Sequence, residues 1–228
     1  MELIDLSQPL DETTPGSPAY PMPKVEPFSG TDAKNRWGVE MVTLPSHCGT
    51  HIDAPTHKLK HWKGLNDFPL EHFQGKAVLA DLRGIEAGAL LGPADLQAAL
   101  PRYLKDRIVL IATGWGQKRS EPEEWNHSIP HLTPDGAQWL IENKVRAVGI
   151  DHWSIGGYEE PENSLTHTIL MAENVWIIEN MFFPEAVFAV PQPMEIWCLP
   201  VNMPKLTGAL CRPVAVVRTV RRRKNRAT

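Results

Sequence analysis

The 228-residue chain is expected to fold as a single α/β domain spanning residues 1–228. Three observations predict this. Apolar runs of strand length (Lys76 to Leu82, Ile108 to Thr113, Val145 to Ile150, Val175 to Glu179) alternate with helical patterns, as in sheets with some parallel pairing. No internal repeat, low-complexity tract or clear linker divides the chain. Its apolar and charged fractions, 42% and 22%, are those of a globular protein, and its length is enough to bury a sizeable core.

Leu3 to Leu6 reads as a short strand. The prolines at 9, 15, 18, 21 and 23 then make a stretch too proline-rich for regular structure. Composition leaves a linker and an arm laid over a pocket or neighbouring subunit equally open for residues 1–38, with Tyr20 and Phe28 to bury. Val39 to Leu44 leads into a strand discussed below, and Lys58 to Gly64 is a basic loop carrying His61 and Trp62. Pro93 at a first helical position opens a helix through Leu100. The run ending in Thr113-Gly114-Trp115-Gly116 puts glycines at a strand's carboxyl end, where α/β proteins place ligands.

Thr133-Pro134 caps a helix to about Asn143, with Ala137, Leu140 and Ile141 on one face. Asn163 or Ser164 is placed to cap a short helix containing His167. Met194 to Val201 and Val214 to Val220 are further strands, and residues 221–228 form a basic tail read as a solvated terminus.

Charge and composition narrow the function. A net charge of −4 gives no electrostatic case for nucleic acid. No apolar run approaches the ~20 residues of a membrane helix, so no membrane span is expected. The start has neither a basic nor a long apolar segment, and three cysteines without CxxC spacing argue against a disulfide framework. A reducing cytoplasm is the expected home.

The chemistry concentrates in residues 46–57. His47, His51, Asp53 and His57 occupy odd positions at i, i+4, i+6 and i+10, so in an extended segment they share one face. A helix would scatter them, and Pro55 opposes one. In a straight strand His47 and His51 would stand roughly 13 Å apart, at ~3.3 Å per residue, whereas ligand bonds are only about 2.0–2.2 Å. A bend at Gly49, a residue free to adopt bulge or turn angles, would bring both imidazoles to one ion. Two imidazoles and a carboxylate make a borderline N/O set suited to Zn, Mn or Fe. Ser46 and Cys48 have the opposite parity, and no G-x-S-x-G elbow is present. Glu179, closing an apolar run, needs a cation or hydrogen-bond partner if buried; an edge position or salt bridge is the other reading.

From His47 to His57 the chain resembles the signature H-x-G-T-H-x-D-x-P-x-H of the metal-dependent cyclase-like hydrolases, which include bacterial kynurenine formamidase and isatin hydrolase. The resemblance extends to the opening Asp-Leu-Ser, the Pro-rich segment after it and Thr113-Gly114-Trp115. It implies a mixed, barrel-like sheet with flanking helices, and a homodimer or higher homo-oligomer, which favours the arm reading. It also implies a centre of one or two divalent ions, Zn or Mn. His47, His51 and Asp53 would hold one ion; His167 and Glu179, twelve residues apart, would hold a second with Asp53 bridging. His57 would transfer protons. Cys211 departs from the small residue that similar proteins carry in a Gly-Ser-Pro-like turn, which puts a hydroxyl contact there in doubt.

The implied activity is hydrolysis of an amide in a small aromatic substrate, an aryl formamide or isatin-like lactam. Tyr20, Trp62, Phe68 and Trp153 are candidate walls for the ring. A metal-assisted lyase or cyclase, or a lactone hydrolase, would use the same residues. A metal-stabilised binding protein would not require His57 beside the ligands.

Overall fold

The computed structural model describes residues 1–30, 37–119 and 122–218. Its strands in chain order are β1 (Glu2–Asp5), β2 (Lys24–Ser29), β3 (Val39–Thr43), β4 (His51–Asp53), β5 (Gln74–Asp81), β6 (Leu90–Leu91), β7 (Ile108–Ala112), β8 (His131–Leu132), β9 (Ala147–Ile150), β10 (Trp176–Glu179), β11 (Met194–Trp197), β12 (Gly208–Leu210) and β13 (Val214–Val217). The α-helices are α1 (Pro93–Ala99), α2 (Pro122–His127), α3 (Pro134–Glu142), α4 (Glu162–Ala172) and α5 (Glu185–Phe188).

Nine strands form one sheet in the order β1-β13-β11-β5-β7-β9-β10-β4-β12. β5, β7, β9 and β10 pair in parallel at its centre, and the strands on either side are antiparallel. Alternating side chains of the central strands go to different cores. Ala77, Leu79, Ile108 and Leu110 enter one cluster; Val78, Ala80, Val109 and Ile111 enter another. The first cluster takes a residue from every strand of the sheet, from Ile4 and Ala215 at one edge to Ile52 and Ala209 at the other. The sheet must therefore curl around that cluster, giving the expected mixed, barrel-like core. Leu96 of α1, Leu140 of α3 and Leu170 of α4 close the second cluster on the outer face.

Several expectations need correction. Lys24–Ser29, within the segment 1–38 read as linker or arm, is a strand that pairs with Val39–Thr43 as a hairpin whose register shifts between Pro27 and Ser29. A proline is tolerated at such an irregularity because no ladder bond is needed from it. Helix α4 begins at Glu162, leaving Asn163 and Ser164 inside it. Asn163 does not cap because its Oδ1 accepts the Ser154 hydroxyl at 3.1 Å. The strand from Met194 ends at Trp197, and Val214–Val217 is shorter than expected. Gly208–Leu210, not read as an element from the sequence, is an edge strand against β4. The basic tail 221–228 lies outside the described residues. No helix among them is long and apolar enough to cross a membrane.

Candidate metal centre

The centre is built on the outer face of the sheet near one edge. β4 places Ile52 in the inner core, so His51 and Asp53 face out. β10 runs antiparallel beside it with Glu179 opposite His51 and Ile177 opposite Asp53. Directly opposed residues share a face at about 5 Å, and this brings Glu179 to the histidine. α4 packs against β10 on that same face and supplies His167. The expected bend exists: Gly49 has φ +58° and swings His47 back over the strand. The regular strand is only His51–Asp53, and His57 sits in a 3-10 turn formed by Pro55–His57.

Asp53 is the hub. Its Oδ1 lies 2.7 Å from His47 Nδ1 and 3.1 Å from His51 Nε2, while Oδ2 lies 3.8 Å from His167 Nε2. Glu179 places Oε1 3.3 Å from His167 Nε2 and Oε2 3.6 Å from His51 Nε2. Two triads result, His47–His51–Asp53 and Asp53–His167–Glu179, each with ligand-type atoms within 4.8 Å of one another. Asp53 belongs to both.

The orientation of the imidazoles is fixed from behind. His51 Nδ1 is 2.9 Å from the Gly49 carbonyl, and His167 Nδ1 is 2.8 Å from that of Asn163. A carbonyl only accepts, so Nδ1 carries the proton and Nε2 is aimed into the cluster, the arrangement metal-binding histidines use. Ile155 N–H donates to Glu179 Oε1 at 2.7 Å, setting that carboxylate. His51 Nε2 and Asp53 Oδ2 are buried without an aligned hydrogen-bond partner. Leaving such groups unpaired costs stability. A cation between the triads would satisfy both, so the donor set fits a divalent metal ion.

The charges agree. Burial alone would raise the Asp53 pKa, yet His47 and His51 outweigh it and hold the carboxylate well below its usual range. Burial likewise works against charge on His51 and His167, but Asp53 and Glu179 raise both, His51 to about 9. Without an ion, then, protons on imidazoles balance the carboxylates. His57 is different: burial, then the neighbouring imidazoles, lower it to about 4 against the pull of Asp53. The His57 ring centroid is 3.9 Å from that of His47 and 6.1 Å from that of His167.

Tyr20 and Trp153 line a small cavity over His47, His57, His167 and Glu179. Trp62 and Phe68 do not. Trp62 is 49% exposed on a turn closed by its own N–H to the Leu59 carbonyl. Phe68 follows the 3-10 turn Leu65–Asp67 and stacks on His72 at 4.4 Å, against the inner core. His61 is exposed at φ 67°. The Thr113–Gly116 loop is tied down by Asp151, which accepts the Thr113 hydroxyl at 2.6 Å and the amides of Thr113, Gly114 and Gly116 at 3.1, 2.9 and 3.4 Å. That loop is stapled to the residue just after β9, and its glycines line a separate cavity of about 190 Å³ with Arg83 and Phe188. Sequence reasoning missed Lys58, Ser154 and Asn163 on the cavity wall, and Thr207 and Gly208 behind His47. Only the position of Lys58 beside His57 was a signal.

The curled mixed sheet is a fold shared with solved structures. Isatin hydrolase A from Labrenzia aggregata, bound to benzyl benzoate, superposes with a TM-score of 0.82 at 21% identity, covering 94% of this chain and 93% of that one. Isatin hydrolase A from Ralstonia solanacearum gives 0.77 at 23% identity, covering 94% and 91%. The family model "Putative cyclase" matches residues 4–156, and the chain belongs to that family. Over 222 residues it is 28% identical to kynurenine formamidase of Bacillus cereus, covering 96% of this chain and 98% of the relative.

Proposed function

We propose that the protein is a metal-dependent hydrolase of non-peptide C–N bonds, acting on an aryl formamide or an isatin-like lactam. The observation that carries this is the pair of triads sharing Asp53, with His51 Nε2 and Asp53 Oδ2 buried without an aligned hydrogen-bond partner. The kinship to kynurenine formamidase over nearly the whole chain supports the substrate class. The N/O donor set favours Zn or Mn, held as one ion by His47, His51 and Asp53 or as two with His167 and Glu179.

A divalent ion supplies a Lewis acid that polarises a carbonyl and makes water acidic near neutral pH. His57 does the proton work. Burial favours its neutral form, so its imidazole accepts a proton from the attacking water, and its conjugate acid passes that proton to the departing nitrogen. The C–N bond breaks as that nitrogen takes the proton, leaving a carboxylate product and a free amine. Tyr20 and Trp153 flank the reacting group and limit water around it.

The hairpin β2–β3 supports a homodimer. Phe28, Trp37, Met41 and Val42 are 73%, 79%, 55% and 55% exposed. A two-stranded ribbon has little stability alone, and a second copy packed against it would cover these side chains. Three free, buried thiols suit a reducing compartment such as the cytoplasm.

The test is product analysis on formamides, lactams and lactones in ¹⁸O-labelled water, with ion-stripped and reloaded protein. The proposal expects one labelled oxygen in the acid product of a formamide or lactam, restored by Zn or Mn. Unlabelled products mean lyase or cyclase chemistry, and turnover confined to lactones means an esterase; either refutes it.

A further inference from the structure

The cavity over the cluster measures only about 90 Å³, whereas sites for drug-sized ligands occupy roughly 300–1,000 Å³. It has room for the reacting group and not for the rest of an aryl substrate. A second cavity of about 680 Å³ adjoins it, and Ser17 and Tyr20 of the N-terminal arm belong to both walls. Arg119 lines this larger space. Its guanidinium is half-buried, donating to Thr14 Oγ1 at 2.6 Å and weakly to Gln8 Oε1 at 3.5 Å. Among the described residues no carboxylate forms an ion pair with it; Asp11 acts on it only at longer range. A partly desolvated cation whose fork has only neutral partners is an anion receptor in waiting, since a planar guanidinium matches a carboxylate bidentately.

We propose that Arg119 is a specificity-determining residue that binds the carboxylate of an anionic substrate in the larger cavity, while the scissile amide lies beyond Tyr20 at the metal cluster. The inference rests on the hydrolase reading above and narrows it to carboxylate-bearing aryl amides. Lys58 is the rival cation: it lies on the wall of the small cavity, with its Nζ held by Ser164 Oγ at 2.7 Å. Its place beside His57 suits contact with the reacting group, not with a distant carboxylate.

The experiment compares arylamine release from N-formylkynurenine and from its isosteric carboxamide, in which an uncharged amide replaces the carboxylate, using the metal-loaded full chain. The wild type is expected to favour the acid by roughly 10- to 100-fold in kcat/KM, the worth of a charge-assisted pair. Arg119→Met should bring the ratio to within about twofold, through a higher KM for the acid. Arg119→Lys should give an intermediate ratio, which carries the test should the methionine variant not fold. Lys58→Met should keep the wild-type ratio. No preference in the wild type, a preference surviving Arg119→Met, or one lost in Lys58→Met instead would overturn the assignment. Failure to release amine from either compound or from 2′-formamidoacetophenone would instead count against the hydrolase reading itself.

Discussion

Gly208→Ala isolates the positioning of His47 without touching a candidate ligand. Gly208 pairs with Asp53 across β12 and β4, and a methyl group there would stand 2.6 Å from His47 Cε1, 2.9 Å from Nε2 and 3.0 Å from Nδ1. Ordinary contact begins at 3.4 Å, so the ring must retreat by about 0.8 Å from its closest approach. Metal–ligand distances tolerate about 0.2 Å, so a shift of this size removes His47 from any ion it shares with His51 and Asp53. The backbone needs no change, because Gly208 is not among the positive-φ glycines. Metal affinity should fall roughly 10- to 100-fold, the usual effect of disturbing the groups that orient a ligand. Turnover at saturating ion should fall by about the 10²-fold that an ångström of misplacement costs, with the unfolding midpoint little moved. Competition with a chromophoric chelator measures the first and steady-state kinetics the second. Wild-type affinity and turnover would refute the claim that His47 is held for an ion.

Other perturbations probe the remaining parts. His57→Ala should keep its full metal content by elemental analysis and lose most turnover; unchanged activity removes His57 from the chemistry. Asp53→Ala, which takes the shared carboxylate from both triads, should carry no stoichiometric metal, and a full complement after dialysis would refute its bridging role. In ion-free protein His51 is held at about 9, above its ordinary 6.5, so the stability from its proton is present below pH 6.5 and lost as pH rises through 9. An ion must displace that proton, and its affinity should climb up to about tenfold per pH unit over the same window; a flat profile by titration calorimetry would contradict this. Asp151→Ala leaves the Thr113–Gly116 donors without their acceptor and should cost about 3 kcal/mol in urea unfolding, with metal content unaffected.

Much of the centre was legible because its first half is local. His47, His51 and Asp53 share parity, and Gly49 is the one residue between the histidines that bends freely, so the face and its kink follow from the sequence. The second half is not local. Glu179 reaches His51 only through the antiparallel pairing of β10 with β4, and His167 only through the docking of α4, so spacing within either segment says nothing about the other. Family resemblance connected them. The low pKa of His57 also arises from burial among residues distant in sequence, notably His167. Trp62 and Phe68 show the limit of residue type as a guide, since short turns direct one to solvent and the other to the core. Lys24–Ser29 shows the same for proline, whose effect depends on whether a partner strand needs its amide.

The most direct test of the metal centre is anomalous diffraction at the absorption edge of Zn or Mn on crystals of the ion-saturated protein. The account predicts a peak about 2.0–2.2 Å from His51 Nε2 and a carboxylate oxygen of Asp53, with a second beside His167 and Glu179 when two ions bind. Saturated crystals with no peak there, or with the ion elsewhere on the surface, would contradict it.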